Sequence, residues 1–232
     1  MRIGVIGATG NLGLRVVAEA VGRGHQVRAF TRDLTTDSHR PDVEWAAIDV
    51  LDPDSVTAAI GGLDVLVSSY QPGNGVKDFD DVLRRSVKDP SGYVTAAKAL
   101  LKGLNTYPST RLIVIGGAGS LEIEPGVVKA DLPDLMRADL EKIGLPADYV
   151  VAVQGHRDAL NTYRLSNRLW TYISPAEYVF PGERTGRFRL GGDQPVVDAN
   201  GQSSISYEDL AVAILDEAEL PSHIQRRFTL GY

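Results

Sequence analysis

Glycine recurs at every third position in Gly7-Ala8-Thr9-Gly10-Asn11-Leu12-Gly13, directly after the apolar stretch Arg2–Ile6 and at the start of a helical-period segment, Asn11–Gly22. That spacing suits a chain that must leave a strand sharply, pass close to an anion and begin a helix packed hard on the strand. Gly7 permits the turn, Gly10 brings backbone up to a pyrophosphate, and Gly13 lets helix and strand touch. Thr9, Asn11 and Leu12 stand where the unpaired N–H groups of a helix start would meet the same anion. A tight strand-to-helix turn with no ligand needs the same glycines, but this position in the chain favours dinucleotide binding. The pattern is G-x-x-G-x-x-G, shifted from the G-x-G-x-x-G of ordinary dehydrogenases.

Roughly twenty residues on, an acid would meet the ribose hydroxyls of NAD, and a base the extra phosphate of NADP. Here the second strand ends Phe30-Thr31-Arg32-Asp33. A neutral Thr31 followed by Arg32, which can fork onto a phosphate and stack on adenine, favours NADP(H). The other reading, with Asp33 on the ribose and Arg32 in solvent, gives NAD(H). Asp49-Val50 is placed to meet the adenine edge, although a plain loop cap accounts for Asp49 nearly as well.

Other chemistries are excluded or weakened. With no cysteine there is no catalytic thiolate, disulfide framework or iron–sulfur cluster, so redox chemistry needs a bound cofactor. None of the nine tyrosines has a lysine four residues on, which removes the Tyr-x-x-x-Lys pair that reduces carbonyls. The nearest case, Tyr93, is followed by Ala97, and Lys98 at i+5 lies off the tyrosine's face of a helix. Hydride transfer to a planar acceptor needs less help, because positioning suffices and protons follow from solvent. Tyr70, Tyr172, Tyr178, Phe180 and Trp170 are the aromatics available to stack beside a nicotinamide; Trp170, inside a strand, fits core packing better, and Tyr178 and Phe180 fit either role. His156 follows Gly155 in mid-helix and is either a pocket proton donor or an ordinary helix histidine. His25, His39 and His223 lack ligand spacing, the acidic run Asp78–Asp81 reads as a solvated loop or helix start, and no metal site is expected.

The elements that must position these residues alternate. Strands are expected at Arg2–Ile6, Gln26–Thr31, Val43–Ile48, Asp64–Ser68, Arg111–Gly116 and Arg168–Ile173, and a last one at Arg227–Leu230. Helices are expected at Asn11–Gly22, Pro53–Ile60, Pro90–Leu104, Pro133–Ile143, Pro146–Ser166 and Tyr207–Glu217, the last capped by Ser206. This is the pattern of an α/β, doubly wound parallel Rossmann sheet in a single domain spanning 1–232, with residues from about 174 forming a small cap over the substrate pocket. A net charge of −6 argues against nucleic acid, no run is long enough for a membrane span, and the N-terminus shows no signal pattern, so a cytoplasmic chain is expected. Monomer and homodimer both stay open. Glycine, 24 of 232 residues, is over-used, and the excess gathers at expected strand-end loops and in the cap.

Gly7–Gly13, Thr31-Arg32, Asp49 and the run Val114-Ile115-Gly116-Gly117-Ala118-Gly119-Ser120-Leu121 resemble the atypical short-chain dehydrogenase/reductase group of NAD(P)H-binding proteins. Within it the sequence is most similar to NADH-flavin reductases, and also to biliverdin reductase B and the NmrA-like regulators. Trp170–Pro175, Pro181–Gly186, Ile205–Ala211 and Arg227-Phe228-Thr229 carry the likeness to the end of the chain. The resemblance implies a nicotinamide near Ser68-Ser69-Tyr70, Gly116-Gly117 and Ser174-Pro175-Ala176, where the fold rule also puts it. Similar reductases place a serine near the nicotinamide at the fifth strand's loop, which makes Ser120 a candidate proton relay, or else a turn serine. The function these readings lead to is NADPH-dependent hydride transfer to a flavin, quinone or similar planar acceptor, flavin then being a substrate. The alternatives are a non-catalytic NAD(P)(H) sensor and, more weakly, an epimerase or dehydratase.

Overall fold

The computed structural model describes residues 1–34, 40–73 and 79–232, so His39 and Asp78 lie outside it. The first half runs β1 (Arg2–Ile6), α1 (Asn11–Gly22), β2 (Gln26–Thr31), β3 (Glu44–Ala47), α2 (Pro53–Ala59), β4 (Val65–Ser68), α3 (Phe79–Lys88), α4 (Gly92–Thr106) and β5 (Arg111–Ile115). There follow β6 (Glu122–Glu124), β7 (Val127–Val128), α5 (Pro133–Lys142), α6 (Val150–Arg164) and β8 (Trp170–Pro175). The chain ends with β9 (Tyr178–Phe180), β10 (Arg189–Gly191), β11 (Ser204–Ser206), α7 (Tyr207–Glu219) and β12 (Arg226–Gly231).

Eight strands form one sheet in the order β10-β12-β8-β5-β4-β1-β2-β3, parallel except for β10, which runs against β12. Because β1 has β2 on one side and β4 on the other, the winding reverses there, and the ligand crevice of such a sheet opens at the carboxyl ends of those strands. Parallel strands covered on both faces must be apolar throughout, and β1 shows why. Ile3 and Val5 face α1 and α7, packing with Val16, Val17, Leu210 and Ile214. Ile6 turns to the opposite face, where Phe30, Leu66, Leu112 and Val114 meet Ala97, Leu100 and Leu104 of α4 and Leu160 of α6. Each such side chain contributes about 1.5–3 kcal/mol on full burial.

The first two strands and α1 lie where the periodicity puts them. The expected strand Arg168–Ile173 is displaced to Trp170–Pro175, since β12 continues to pair with it beyond β5, at Ser174↔Thr229 and Pro175↔Leu230. Asp80 and Asp81 open α3, an extra helix whose acidic first turn and basic last turn (Arg85, Lys88) complement its dipole. Of the segment from 174 onward, β10, α7 and β12 complete the sheet and its helical layer, while β9 and β11 form a separate parallel pair that, with the loops around it, is termed the cap.

That cap is lashed down by the start of α7. The buried Asp209 carboxylate accepts from Thr185 N (2.8 Å), Gly186 N (2.7 Å), Thr185 Oγ1 (2.5 Å) and Tyr232 Oη (2.8 Å). Glu208 accepts from Gly182 N at 2.8 Å, and Arg184 pairs with Glu19 of α1 at 2.7 Å. The Pro181–Gly186 and Ile205–Ala211 motifs are therefore two halves of one latch.

Candidate active site

At the turn after β1, Gly7 has φ +77°, a conformation that favours glycine, and Gly10 N donates to Gly7 O at 2.9 Å. A Cβ on Gly13 would stand 2.7 Å from the Gly7 carbonyl carbon and 2.8 Å from Ala8 Cα, so α1 sits as close to β1 as backbone allows. No side chain caps the start of α1 at Gly10, and its first turn holds no acid. The contrast with α2 is direct: Asp52 there takes the N–H groups of Asp54 and Ser55. The N–H groups and positive dipole end of α1 are thus left for an anion, which is the fit a dinucleotide pyrophosphate requires.

From this turn the expected residues run along the carboxyl edge. Ser69 at the end of β4 is tied across to β1, its N and Oγ both bonding Ile6 O (3.1 and 2.9 Å). Tyr70 beside it is half-buried, and burial first, then the Asp89 carboxylate, push its phenol up to about 12, with Arg32 opposing. Thr31 braces the turn at Asp33, bonding Asp33 O at 3.1 Å, and Arg32 is exposed at the end of β2. Asp49 caps its own turn, accepting from Leu51 N at 3.0 Å, so its geometry is that of a loop cap on an exposed residue. Val50 and Ser68 are buried, and Ser174 and Pro175, read from sequence as a loop, are buried within β8.

After β5 the glycines make room for rings. A Cβ on Gly116 would overlap the Tyr172 ring, and one on Gly117 would come within 3.3 Å of His156 Cδ2. Tyr172 is fully buried and donates to His156 O at 2.9 Å, so it is core and not a stacking platform. Tyr93 is buried against His156 with ring centroids 4.1 Å apart, and burial drives its phenol far upward, while Lys98 is exposed on the far side of α4. Among the described residues no Tyr–Lys pair forms. Burial pushes the His156 imidazole down to about 4, so the ring is neutral near pH 7. Ser120 is buried, its hydroxyl shared between Gly117 O and Ser174 Oγ, each 2.8 Å away. In this geometry it holds the loop that carries Gly116 and Gly117. Trp170, as expected, is core.

The cap brings aromatics to the same edge. Tyr178 is 65% exposed and stacks on Phe180 at 5.4 Å with an interplanar angle of 17°. Beside them, Arg15 sits 5.3 Å over the Tyr207 ring while bonding Glu208 Oε1 (2.6 Å) and Asn11 O (2.7 Å). Neither Arg15 nor Tyr207 was singled out from sequence. The signal was available for Arg15, which stands four residues after Asn11 and so on the same helix face. Among the described residues no group of acids and histidines is arranged to hold a metal, and no helix is long and apolar enough to cross a membrane.

The comparisons agree with this geometry. A model of NAD(P)H-binding proteins matches residues 7–221. A solved structure from Burkholderia pseudomallei, named provisionally as an exported protein, is 37% identical and covers 100% of both chains with a TM-score of 0.80. One from Bacteroides thetaiotaomicron, provisionally an epimerase, is 31% identical over 100% of this chain and 96% of its own, TM-score 0.79. One from Streptococcus pneumoniae, provisionally an NADH-flavin reductase, is 27% identical over 100% and 99%, TM-score 0.79. The chain belongs to the NAD(P)H-binding family.

Proposed function

We propose that this chain is an NADPH-dependent oxidoreductase that passes hydride to a flavin, quinone or similar planar acceptor. One observation carries the reading: the uncapped start of α1 opens at strand ends that, among the described residues, hold no Tyr–Lys pair, and the cap carries an exposed aromatic stack at Tyr178 and Phe180. When bound, the nicotinamide supplies the hydride. The backbone at Gly7, Gly10 and Gly13 binds the pyrophosphate, and Arg32 meets the 2′-phosphate. Gly116 and Gly117 present bare backbone to the redox end, and Tyr178 with Phe180 orients a flat acceptor by stacking. The provisional name of the Streptococcus pneumoniae relative supports a flavin. A cytoplasmic setting suits the reduced cofactor.

The test is a fluorescence titration of NADPH against NADH with wild type and Arg32→Ala. The reading expects tighter NADPH binding that the substitution abolishes; unchanged preference contradicts the phosphate role of Arg32. The sensor reading has one observation in its favour, since His156 is neutral and Ser120 is buried, so neither stands ready as an acid. It predicts cofactor binding without turnover and a partner whose affinity follows the cofactor's redox state.

A further inference from the structure

We propose that His156 holds the nicotinamide end of the bound dinucleotide through an uncharged hydrogen bond between its imidazole and the carboxamide. This rests on the dinucleotide reading of the site and adds a residue that neither the glycine motif nor the Tyr–Lys pattern supplies.

The ring is held from several sides. Gly155 lets α6 meet the start of α4, because a Cβ there would lie 2.6 Å from both Pro90 O and Tyr93 Cδ2. That approach sets the His156 ring on Tyr93 at 4.1 Å, inclined by 44°. The Tyr172 hydroxyl fixes the His156 carbonyl, and Gly117 lets the strand-five loop lie against the imidazole edge. The ring borders a cavity of about 20 Å³ whose walls include Ser68, Tyr70, Tyr93, Val114 and Tyr172, enough for about one water.

A ring so tightly placed has its polar atoms free. Among the described residues neither imidazole nitrogen has a hydrogen-bond partner, and neither is sealed from solvent. A neutral imidazole offers one donor and one acceptor, the complement of a carboxamide's oxygen and amino group. Its neutrality near pH 7 follows from burial. A cation at this place would oppose the positive charge of the oxidised nicotinamide, whereas an uncharged ring suits both redox states.

The experiment measures binding. Wild type, His156→Phe and His156→Gln are titrated with NADPH, NADP+ and 2′-phospho-ADP-ribose, which keeps the phosphates and lacks the nicotinamide. The expected result is a loss of about 5-fold for NADPH and NADP+ in His156→Phe, the scale of one neutral hydrogen bond. The nicotinamide-free ligand is unaffected, and His156→Gln, with both a donor and an acceptor, recovers most of the loss. Equal loss for all three ligands, or none, overturns the proposal. If wild type binds none of them, the dinucleotide reading itself has failed. Should the variants not fold, the imidazole nitrogen resonances of wild type decide: NADPH shifts those of His156 and the nicotinamide-free ligand does not, and identical responses overturn it.

Discussion

Two glycines of α1 give opposite predictions for the same substitution. In a helix, alanine is favoured over glycine by about 0.8–1 kcal/mol. At Gly22 a Cβ meets nothing within 4 Å and φ is not positive, so Gly22→Ala keeps part of that gain. For a domain of this size, 1 kcal/mol corresponds to about 2–4 °C in Tm, so a rise of about 1–3 °C is expected. At Gly13 the new atom would fall within 2.8 Å of the Gly7 carbonyl carbon and Ala8 Cα, and nearer still to Gly7 O. All three are backbone atoms that cannot swing aside, so α1 must move off β1. Overpacking of this kind costs about 1–3 kcal/mol, which outweighs the propensity gain. The same shift carries the helix N–H groups away from the pyrophosphate, and a loss of about 1.4 kcal/mol there is tenfold in affinity. Thermal unfolding and NADPH fluorescence titration on wild type and both variants check this. Gly13→Ala should be less stable and bind at least about tenfold more weakly, with Gly22→Ala binding normally. Wild-type affinity in Gly13→Ala, or equal Tm shifts in the two variants, would refute the packing argument.

Three further outcomes are expected. Asp209→Ala strands the Thr185, Gly186 and Tyr232 donors and should cost about 3–5 kcal/mol in denaturant unfolding while opening the 181–187 loop to protease; an uncut loop contradicts the latch. The His156 imidazole is held low by burial, so below pH 6.5 the unfolded chain binds a proton that the folded chain refuses. Stability contributed by this group is complete above pH 6.5 and falls towards pH 4, by on the order of 3 kcal/mol at most. His156→Phe should flatten that part of the pH profile, and parallel profiles would show that another group sets it. Tyr178→Ala removes the exposed half of the cap stack and should raise KM for a planar acceptor about 5-fold, with NADPH affinity unchanged; an unaltered KM places the acceptor elsewhere.

The Rossmann sheet was legible because its central parallel strands, such as β1, β4 and β5, are buried on both faces and therefore appear as apolar runs between helical segments. The strand that slipped, β8, did so because its end depends on β12, more than fifty residues later, which no local pattern encodes. The strands of the cap, three residues each, are too short for a periodicity. The phosphate turn was readable since backbone conformation itself demands glycine there. The Tyr93–His156 ring contact was not, for it arises where α4 and α6 cross. Gly155 carried the clue: a glycine in mid-helix, it is the gap that Pro90 and Tyr93 fill. Likewise the Pro181–Gly186 and Ile205–Ala211 motifs, which in the sequence only carried the family likeness, hold the buried carboxylate of Asp209 and the loop it grips.

Hydride transfer to a flat acceptor is the central claim, and it is tested by following the loss of reduced nicotinamide absorbance when wild type and Gly13→Ala are mixed with NADPH and FMN, riboflavin or a panel of quinones. The account predicts that wild type accelerates oxidation by at least one of these above the protein-free rate, and that Gly13→Ala does not. Tight NADPH binding with no acceleration by any acceptor would contradict it and leave the sensor in its place.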